Sequence, residues 1–215
     1  MRYLTERERI VTVFRLMEEK NLNYGYSGNV SVRVSENEYL ISPTGARKAS
    51  MKPEDVLLVN EEGEVLEGTG QPSVELPLHV TVYKNRQDVR AIIHAHPIYA
   101  TVLGVLRVDL EPVVEELAIY VGGGVKVADY AIFGSQELAN NVVGALGDRS
   151  AVIMANHGIL TCGRDIMEAF DILVCVERAA QVYVLARAAG IPNKLPSETI
   201  KAEVALYKLR KSRSS

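Results

Sequence analysis

Residues 91–100 read AIIHAHPIYA, an apolar run that ends in two histidines and a proline. The run predicts a buried strand, and Pro97 predicts that a helix opens directly after it. On a strand, residues i and i+2 point to the same face, so His94 and His96 project together. Two imidazoles at a strand end can bind one divalent ion, or they can make local hydrogen bonds and nothing more. The pair alone leaves both interpretations open.

A third histidine favours the metal site. A second apolar run, AVIMAN at residues 151–156, ends at His157 and is followed at once by a turn. Two buried strands that both end in histidine can supply three ligands to one ion, and imidazole suits zinc. We therefore predict that His94, His96 and His157 bind a metal. His79 is a weaker candidate, because LPLHVTVY is the packed side of a helix, where we expect a half-buried, hydrogen-bonded side chain.

Helical and strand patterns alternate around these histidines, with no internal repeat and no linker. The early strands come as two hairpins, VSVRV with EYLIS and DVLLVN with EVLEG. Helices are predicted at residues 5–20, from Glu75 onward, after Ser135, and at residues 165–190. The pattern indicates an α/β or α+β fold with a largely antiparallel sheet, in a single domain over residues 1–215. Residues 196–215 form a polar tail.

Composition limits the classes of function. The chain has 215 residues, 47% of them hydrophobic, and a net charge of −3, which argues against nucleic acid or an anionic membrane as the main partner. No apolar run is long enough to span a membrane, and the charged N-terminus is unlike a secretory signal, so we expect a cytoplasmic protein. Cys162 and Cys175 are predicted to be reduced thiols.

Six segments occur along the chain in the order SGNVSVR, ISPTG, PSVELPLHVTVYK, AIIHAHPIYAT, YAIFGSQEL and NHGILTCG. Together they resemble the class II aldolase/adducin family, and most closely its L-fuculose-1-phosphate aldolases. The resemblance runs from the first helix to the tail, and the combination of His-x-His-Pro, Asn-His-Gly and Pro-Ser-x-Glu is specific. It implies a three-layer α/β/α sandwich around a mostly antiparallel sheet, and a ring-like homotetramer with active sites between subunits.

The resemblance also implies roles for the polar residues. The three histidines would bind Zn²⁺, with Co²⁺ or Mn²⁺ as possible replacements, and Glu75 would be an acid/base that exchanges on and off the metal. Aldol cleavage leaves negative charge on an enediolate, which a divalent ion stabilises, while a nearby carboxylate moves the proton. The implied substrate is L-fuculose 1-phosphate or a similar deoxy-ketose 1-phosphate. Its products would be dihydroxyacetone phosphate and an aldehyde such as lactaldehyde.

Small polar loops would bind the phosphate group of this substrate. Backbone N–H groups and hydroxyls in such loops bind phosphate well. The residues that match the family's phosphate site are Gly28, Asn29, Thr44, Gly45 and Ser73. Val74 stands where the family often has a second serine, so one donor is lost.

A second acid must protonate the aldehyde oxygen. By resemblance this is Tyr207, in a tail that would dock on a neighbouring subunit and reach its active site. Leu117 stands where the fuculose enzymes have another tyrosine, which leaves Tyr120, Glu115 and Glu116 as the nearest acids.

Other members of the same superfamily provide alternative functions. An L-ribulose-5-phosphate 4-epimerase type of isomerase is disfavoured because members of that type carry Asp at the position of Glu75. A sugar-phosphate dehydratase or decarboxylase stays possible. A non-enzymatic, adducin-like head is disfavoured because all three histidines are present.

Overall fold

A mixed sheet forms the centre of the computed structural model, which describes residues 1–212. Within these residues the sheet has eight strands in the order β4-β3-β2-β1-β5-β8-β7-β6. Every neighbouring pair is antiparallel except β6 and β7, which confirms the predicted sheet type. The strands are β1 (Asn29–Arg33), β2 (Glu38–Ile41), β3 (Leu57–Asn60), β4 (Val65–Glu67), β5 (Ala91–Ala95), β6 (Lys126–Ala128), β7 (Ala151–Met154) and β8 (Gly158–Gly163).

Helices cover both faces of the sheet, as the three-layer prediction requires. They are α1 (Leu4–Glu19), α2 (Leu76–Asn85), α3 (Ile98–Leu106), α4 (Gln136–Leu146), α5 (Ile166–Ala189) and α6 (Ser197–Ser212). Residues of α1, α3 and α5 share one apolar cluster with Ile93, whereas residues of α2 and α4 share a second cluster with Ile92. Adjacent side chains of β5 therefore enter opposite cores, which explains why this strand is an apolar run without alternation.

Side chains fix where the helices begin. Ser135 caps α4 by accepting the Leu138 N–H at 3.1 Å, as a serine at this position predicts. The start of α3 is held by Glu177 of α5, whose carboxylate accepts the Tyr99 and Ala100 N–H groups at 2.9 Å each. Burial raises the pKa of Glu177. This contact fixes the segment that follows His96.

The tail is a helix that packs on its own chain. Helix α6 lies against a π-helical turn at Leu117–Val121, and Tyr207 is buried there. The ring sits over Gly122, where an added Cβ would meet Tyr207 Cε1 at 2.6 Å. Only a glycine fits there, because φ is also +92°. The end of the predicted tail, residues 213–215, lies outside the described residues.

Two further predictions concern the chain as a whole. Among residues 1–212, no helix has the length and the apolar character that crossing a membrane requires. Cys162 and Cys175 are both free thiols, as predicted.

Candidate active site

The three histidines that the sequence singled out lie together at one end of the sheet. His94 lies in β5, His96 follows it, and His157 lies in the turn between β7 and β8. Because β5 and β8 are antiparallel and Ala95 pairs with Ile159, this turn comes beside the end of β5. One ring nitrogen from each histidine lies within 4.8 Å of the other two.

The free nitrogens of these rings point at one another. His94 donates from Nδ1 to the Ile159 carbonyl at 3.0 Å, which leaves its Nε2 as an acceptor when the ring is neutral. His96 Nε2 lies 2.9 Å from that nitrogen. Burial, with a smaller contribution from the neighbouring histidines, lowers the pKa of His96 to about 3 and that of His157 to about 4. Both rings are therefore neutral at pH 7, which is the form that binds a metal.

The Glu75 carboxylate completes the cluster from the N-terminus of α2. Its Oε2 lies 3.2 Å from His94 Nε2, and its Oε1 lies 3.6 Å from His157 Nε2. Burial alone would raise the pKa of Glu75, but His94, His157 and the Asn29 amide outweigh it and lower the pKa. Oε1 is buried without a hydrogen-bond donor among residues 1–212. A charged, buried and unsatisfied oxygen beside three imidazoles fits a divalent cation well.

A series of buried hydrogen bonds orients Glu75. Asn29 Nδ2 donates to Glu75 Oε2 at 2.8 Å, and Asn29 Oδ1 accepts from His79 Nε2 at 2.5 Å. The Ser31 hydroxyl lies 2.6 Å from His79 Nδ1 and 2.8 Å from the Tyr83 hydroxyl. With His79 donating to Asn29, its Nδ1 accepts from Ser31, and Ser31 accepts from Tyr83. Every donor in the series thus points toward the carboxylate.

His79 is not part of the histidine cluster. Both of its nitrogens are used in this series, and burial lowers the pKa of His79 to about 3. The sequence predicted a half-buried side chain, and this was wrong. His79 is fully buried because α2 packs it against β1, a contact between distant parts of the chain.

A cavity of about 360 Å³ opens beside the cluster. The two loops that bound it are tied together, since Thr44 N–H donates to the Gln71 carbonyl at 3.0 Å and Ser73 N–H donates to the Ser42 carbonyl at 3.3 Å. Gly28 has φ +70°, and a Cβ there would meet the His94 carbonyl oxygen at 2.6 Å, so a side chain does not fit. The five residues predicted to bind phosphate all line this cavity: Gly28, Asn29, Thr44, Gly45 and Ser73.

Three residues that sequence reasoning missed also line the cavity. Tyr26 and Phe133 lie at its rim with 66% and 64% of their surface exposed, and Lys48 lies at its wall. Lys48 follows Gly45 by three residues in PTGARK. A cation so close in sequence to a glycine-containing loop was the signal that could have identified Lys48 as a cavity residue.

The predicted second acids are not at this site. The Tyr207 hydroxyl lies 2.8 Å from Ser150 Oγ and 2.9 Å from the Asp148 carbonyl, before the start of β7, whereas His157 follows the end of that strand. Tyr207 is 4% exposed in the single chain. In the single chain Tyr207 is a packing residue.

The alternatives to Tyr207 lie elsewhere too. Tyr120 and Glu116 line a separate groove of about 660 Å³ beside α5, which none of the three histidines contacts. The Arg210 guanidinium lies over the Tyr120 ring, 4.9 Å from its centroid. Glu115 is exposed, and Leu117 is buried in the core.

Known proteins resemble the chain over most of its length. The family model described as Class II Aldolase and Adducin N-terminal domain matches residues 8–184. A 5-deoxy-D-ribulose 1-phosphate aldolase of Bacillus thuringiensis serovar kurstaki is 37% identical over 194 residues, which cover 90% of this chain and 91% of that protein. A 5-methylthioribulose-1-phosphate/5-deoxyribulose-1-phosphate aldolase of Rhodospirillum rubrum is 30% identical over 202 residues, with 94% and 90% covered. A solved structure of an L-fuculose 1-phosphate aldolase superposes with a TM-score of 0.90 at 36% identity, and the match covers 95% of this chain and 96% of that chain.

Proposed function

The chain belongs to the class II aldolase and adducin family, and we propose that it cleaves a deoxy-ketose 1-phosphate reversibly. The products are dihydroxyacetone phosphate and a small aldehyde. The observation that carries this proposal is the Glu75 carboxylate. It has one unsatisfied buried oxygen beside the three histidines, and it lines a cavity rich in hydrogen-bond donors.

The three imidazoles would hold a divalent ion, for which we propose Zn²⁺, with Co²⁺ or Mn²⁺ as replacements. When bound, the ion supplies a Lewis acid for the negative charge that develops on the ketone as the carbon–carbon bond breaks. Neutral imidazoles leave the ion its full charge. His94 is oriented for this role by its bond to the Ile159 carbonyl.

Glu75 moves the proton at the carbon next to the ketone. Its carboxylate is ionised, so it can accept a proton, and the Asn29 amide fixes its orientation at 2.8 Å. The phosphate group lies in the cavity, where Thr44 and Ser73 offer hydroxyls and Gly28 and Gly45 offer unhindered backbone. Val74 lacks the hydroxyl that a serine would add.

The other end of the substrate meets an apolar rim. Phe133 and Tyr26 are exposed there, and a rim of this kind suits an aldehyde without a terminal hydroxyl group. Acetaldehyde from 5-deoxyribulose 1-phosphate and lactaldehyde from L-fuculose 1-phosphate both fit. Relatives named for either substrate support the class as a whole.

We also propose a homotetramer with active sites between subunits. Within residues 1–212, the tyrosines predicted as this acid, Tyr207 and Tyr120, do not lie at the cavity of their own chain. We propose that a neighbouring subunit supplies the acid that protonates the aldehyde oxygen.

The test is product formation by purified protein loaded with Zn²⁺. Incubation with 5-deoxyribulose 1-phosphate and with L-fuculose 1-phosphate should release dihydroxyacetone phosphate from at least one of them. Glu75→Gln serves as the inactive control. Conversion of L-ribulose 5-phosphate to its 4-epimer, without dihydroxyacetone phosphate from either ketose 1-phosphate, would replace the aldolase by the epimerase.

A further inference from the structure

Lys48 is a buried cation with no carboxylate partner among residues 1–212. Its side chain is 4% exposed, and its Nζ donates to the Pro43 carbonyl at 2.6 Å. The ion pairs that the described lysines make with Asp or Glu lie elsewhere. The other group near the ammonium is the Phe14 ring, whose centroid lies 5.8 Å away. An ammonium carries three N–H donors, so two of them have no protein acceptor in this part of the chain.

A cation in such a position is costly. Burial lowers the pKa of the Lys48 ammonium to about 8, so it is still mostly protonated at pH 7. A buried charge normally needs an opposite charge and a full set of hydrogen bonds. The structure supplies one carbonyl, and an anion from outside the chain would supply the rest.

That anion would bind in the cavity that is lined by the loops predicted to bind phosphate. Lys48 lines it together with Thr44, Gly45 and Ser73. These three residues provide neutral donors, and Lys48 is the one lysine or arginine among the described residues that line the cavity. Val74 provides no donor.

We propose that Lys48 is the cation that recognises the phosphate group of the substrate. Its free N–H groups donate to a phosphate oxygen, while its bond to Pro43 holds the loop that carries Thr44 and Gly45. This inference rests on the proposed function, since it names the charge that the same site uses to select phosphorylated ketoses. A charge-assisted bond of this kind changes affinity by about tenfold or more.

Sulfate, a dianion similar in shape to phosphate, is the probe for this site. Its binding to Zn²⁺-loaded protein is measured by calorimetry for the wild type, Lys48→Gln, Lys48→Arg and Lys52→Gln. Lys48→Gln keeps an N–H donor and removes the charge, so sulfate affinity should fall about tenfold or more. Lys48→Arg keeps the charge and should stay within about threefold of the wild type. Lys52 is exposed and away from the cavity, so Lys52→Gln should bind sulfate as the wild type does.

Enzyme kinetics provide a second measurement. In Lys48→Gln the KM for the ketose 1-phosphate should rise about tenfold, with kcat changed less than about threefold, because the chemistry at Glu75 is untouched. If Lys48→Gln instead disordered the loop that carries Thr44 and Gly45, both kcat and the melting temperature would fall. If Lys48→Gln does not fold, Lys48→Met is measured in its place.

Two results would overturn the proposal. One is wild-type sulfate affinity in a folded Lys48→Gln or Lys48→Met variant. The other is an equal loss in Lys48→Gln and Lys48→Arg, which would show that shape and not charge matters. Failure of the aldolase proposal is separate: protein that binds sulfate through Lys48 but releases no dihydroxyacetone phosphate refutes the reaction and leaves the anion site standing.

Discussion

At the scale of single residues, what a side chain does here depends on which of its atoms are already bound. His94 and His79 are both buried histidines, but His94 uses one nitrogen on a backbone carbonyl and His79 uses both on Asn29 and Ser31. The sequence could place His94, His96 and His157 together, because strand periodicity puts the first two on one face and the third directly follows a second apolar run. It could not place His79 or Lys48 in this way, because their surroundings come from distant segments that carry no local pattern.

Glu75→Gln should retain the fold and the metal but lose most of the proton exchange at the carbon of dihydroxyacetone phosphate. The amide cannot accept a proton, and general base catalysis contributes about 10²- to 10⁴-fold. Exchange of solvent deuterium, followed by NMR, measures this step without the aldehyde. Glu137→Gln, at an exposed position on α4, is the matched control. Wild-type exchange in Glu75→Gln would remove Glu75 from the mechanism.

Alanine at His94, His96 and His157 together should reduce bound zinc from about one ion per chain to almost none, because three of its four ligands are gone. His79→Gln should keep the zinc and lose about 1–3 kcal/mol in the free energy of unfolding, because its buried partners lose a hydrogen bond. Atomic emission after dialysis and denaturant titration measure the two effects. Retention of stoichiometric zinc in the triple variant, or its loss in a folded His79→Gln, would contradict this assignment.

At the scale of elements, antiparallel pairing between distant segments builds the site. β1 pairs with β5 so that Asn29 lies opposite His94, although 65 residues separate them. The sequence predicted β5 and β7 as apolar runs and predicted the hairpin of β1 with β2. It did not predict that β1 joins β5, because hairpin signals are local. The sequence also did not predict the contact between Tyr207 and Gly122 that attaches α6 to its own chain, because the polar sequence of the tail does not reveal it.

Tyr207→Phe tests the role of that contact. The change removes the hydrogen bonds to Ser150 and Asp148, and we expect a loss of about 1–3 kcal/mol in the free energy of unfolding. If Tyr207 is a packing residue, kcat for the ketose 1-phosphate per folded enzyme should stay within about threefold of the wild type. Thermal unfolding and steady-state kinetics measure the two quantities. A large fall in kcat with an unchanged melting temperature would restore Tyr207 as the acid at a neighbouring subunit's site.

At the scale of the whole molecule, the sheet separates two regions of different purpose. The histidine cluster and the donor-rich cavity lie at one end, and Tyr207 of α6 is anchored at the other. The net charge of −3 gives no general attraction for a phosphorylated substrate, so attraction must come from local groups such as Lys48. Apolar side chains stay exposed along α5 and α6: Met167, Val182, Leu185, Leu206 and Leu209. Apolar surface of this kind favours assembly.

Leu185→Glu should weaken the proposed homotetramer. Leu185 is 54% exposed on α5, one turn from Val182, so a carboxylate there costs the single chain little. In a contact between subunits it would have to be desolvated. We expect sedimentation velocity to show smaller species for Leu185→Glu and tetramer for Gln136→Glu, which adds the same charge at an exposed position on α4.

If a neighbouring subunit supplies the acid, the smaller species should keep its zinc and its deuterium exchange, because His94, His157 and Glu75 come from one chain. Cleavage of the ketose 1-phosphate should fall much further than exchange. Full cleavage by a dissociated enzyme would show that one chain holds a complete active site.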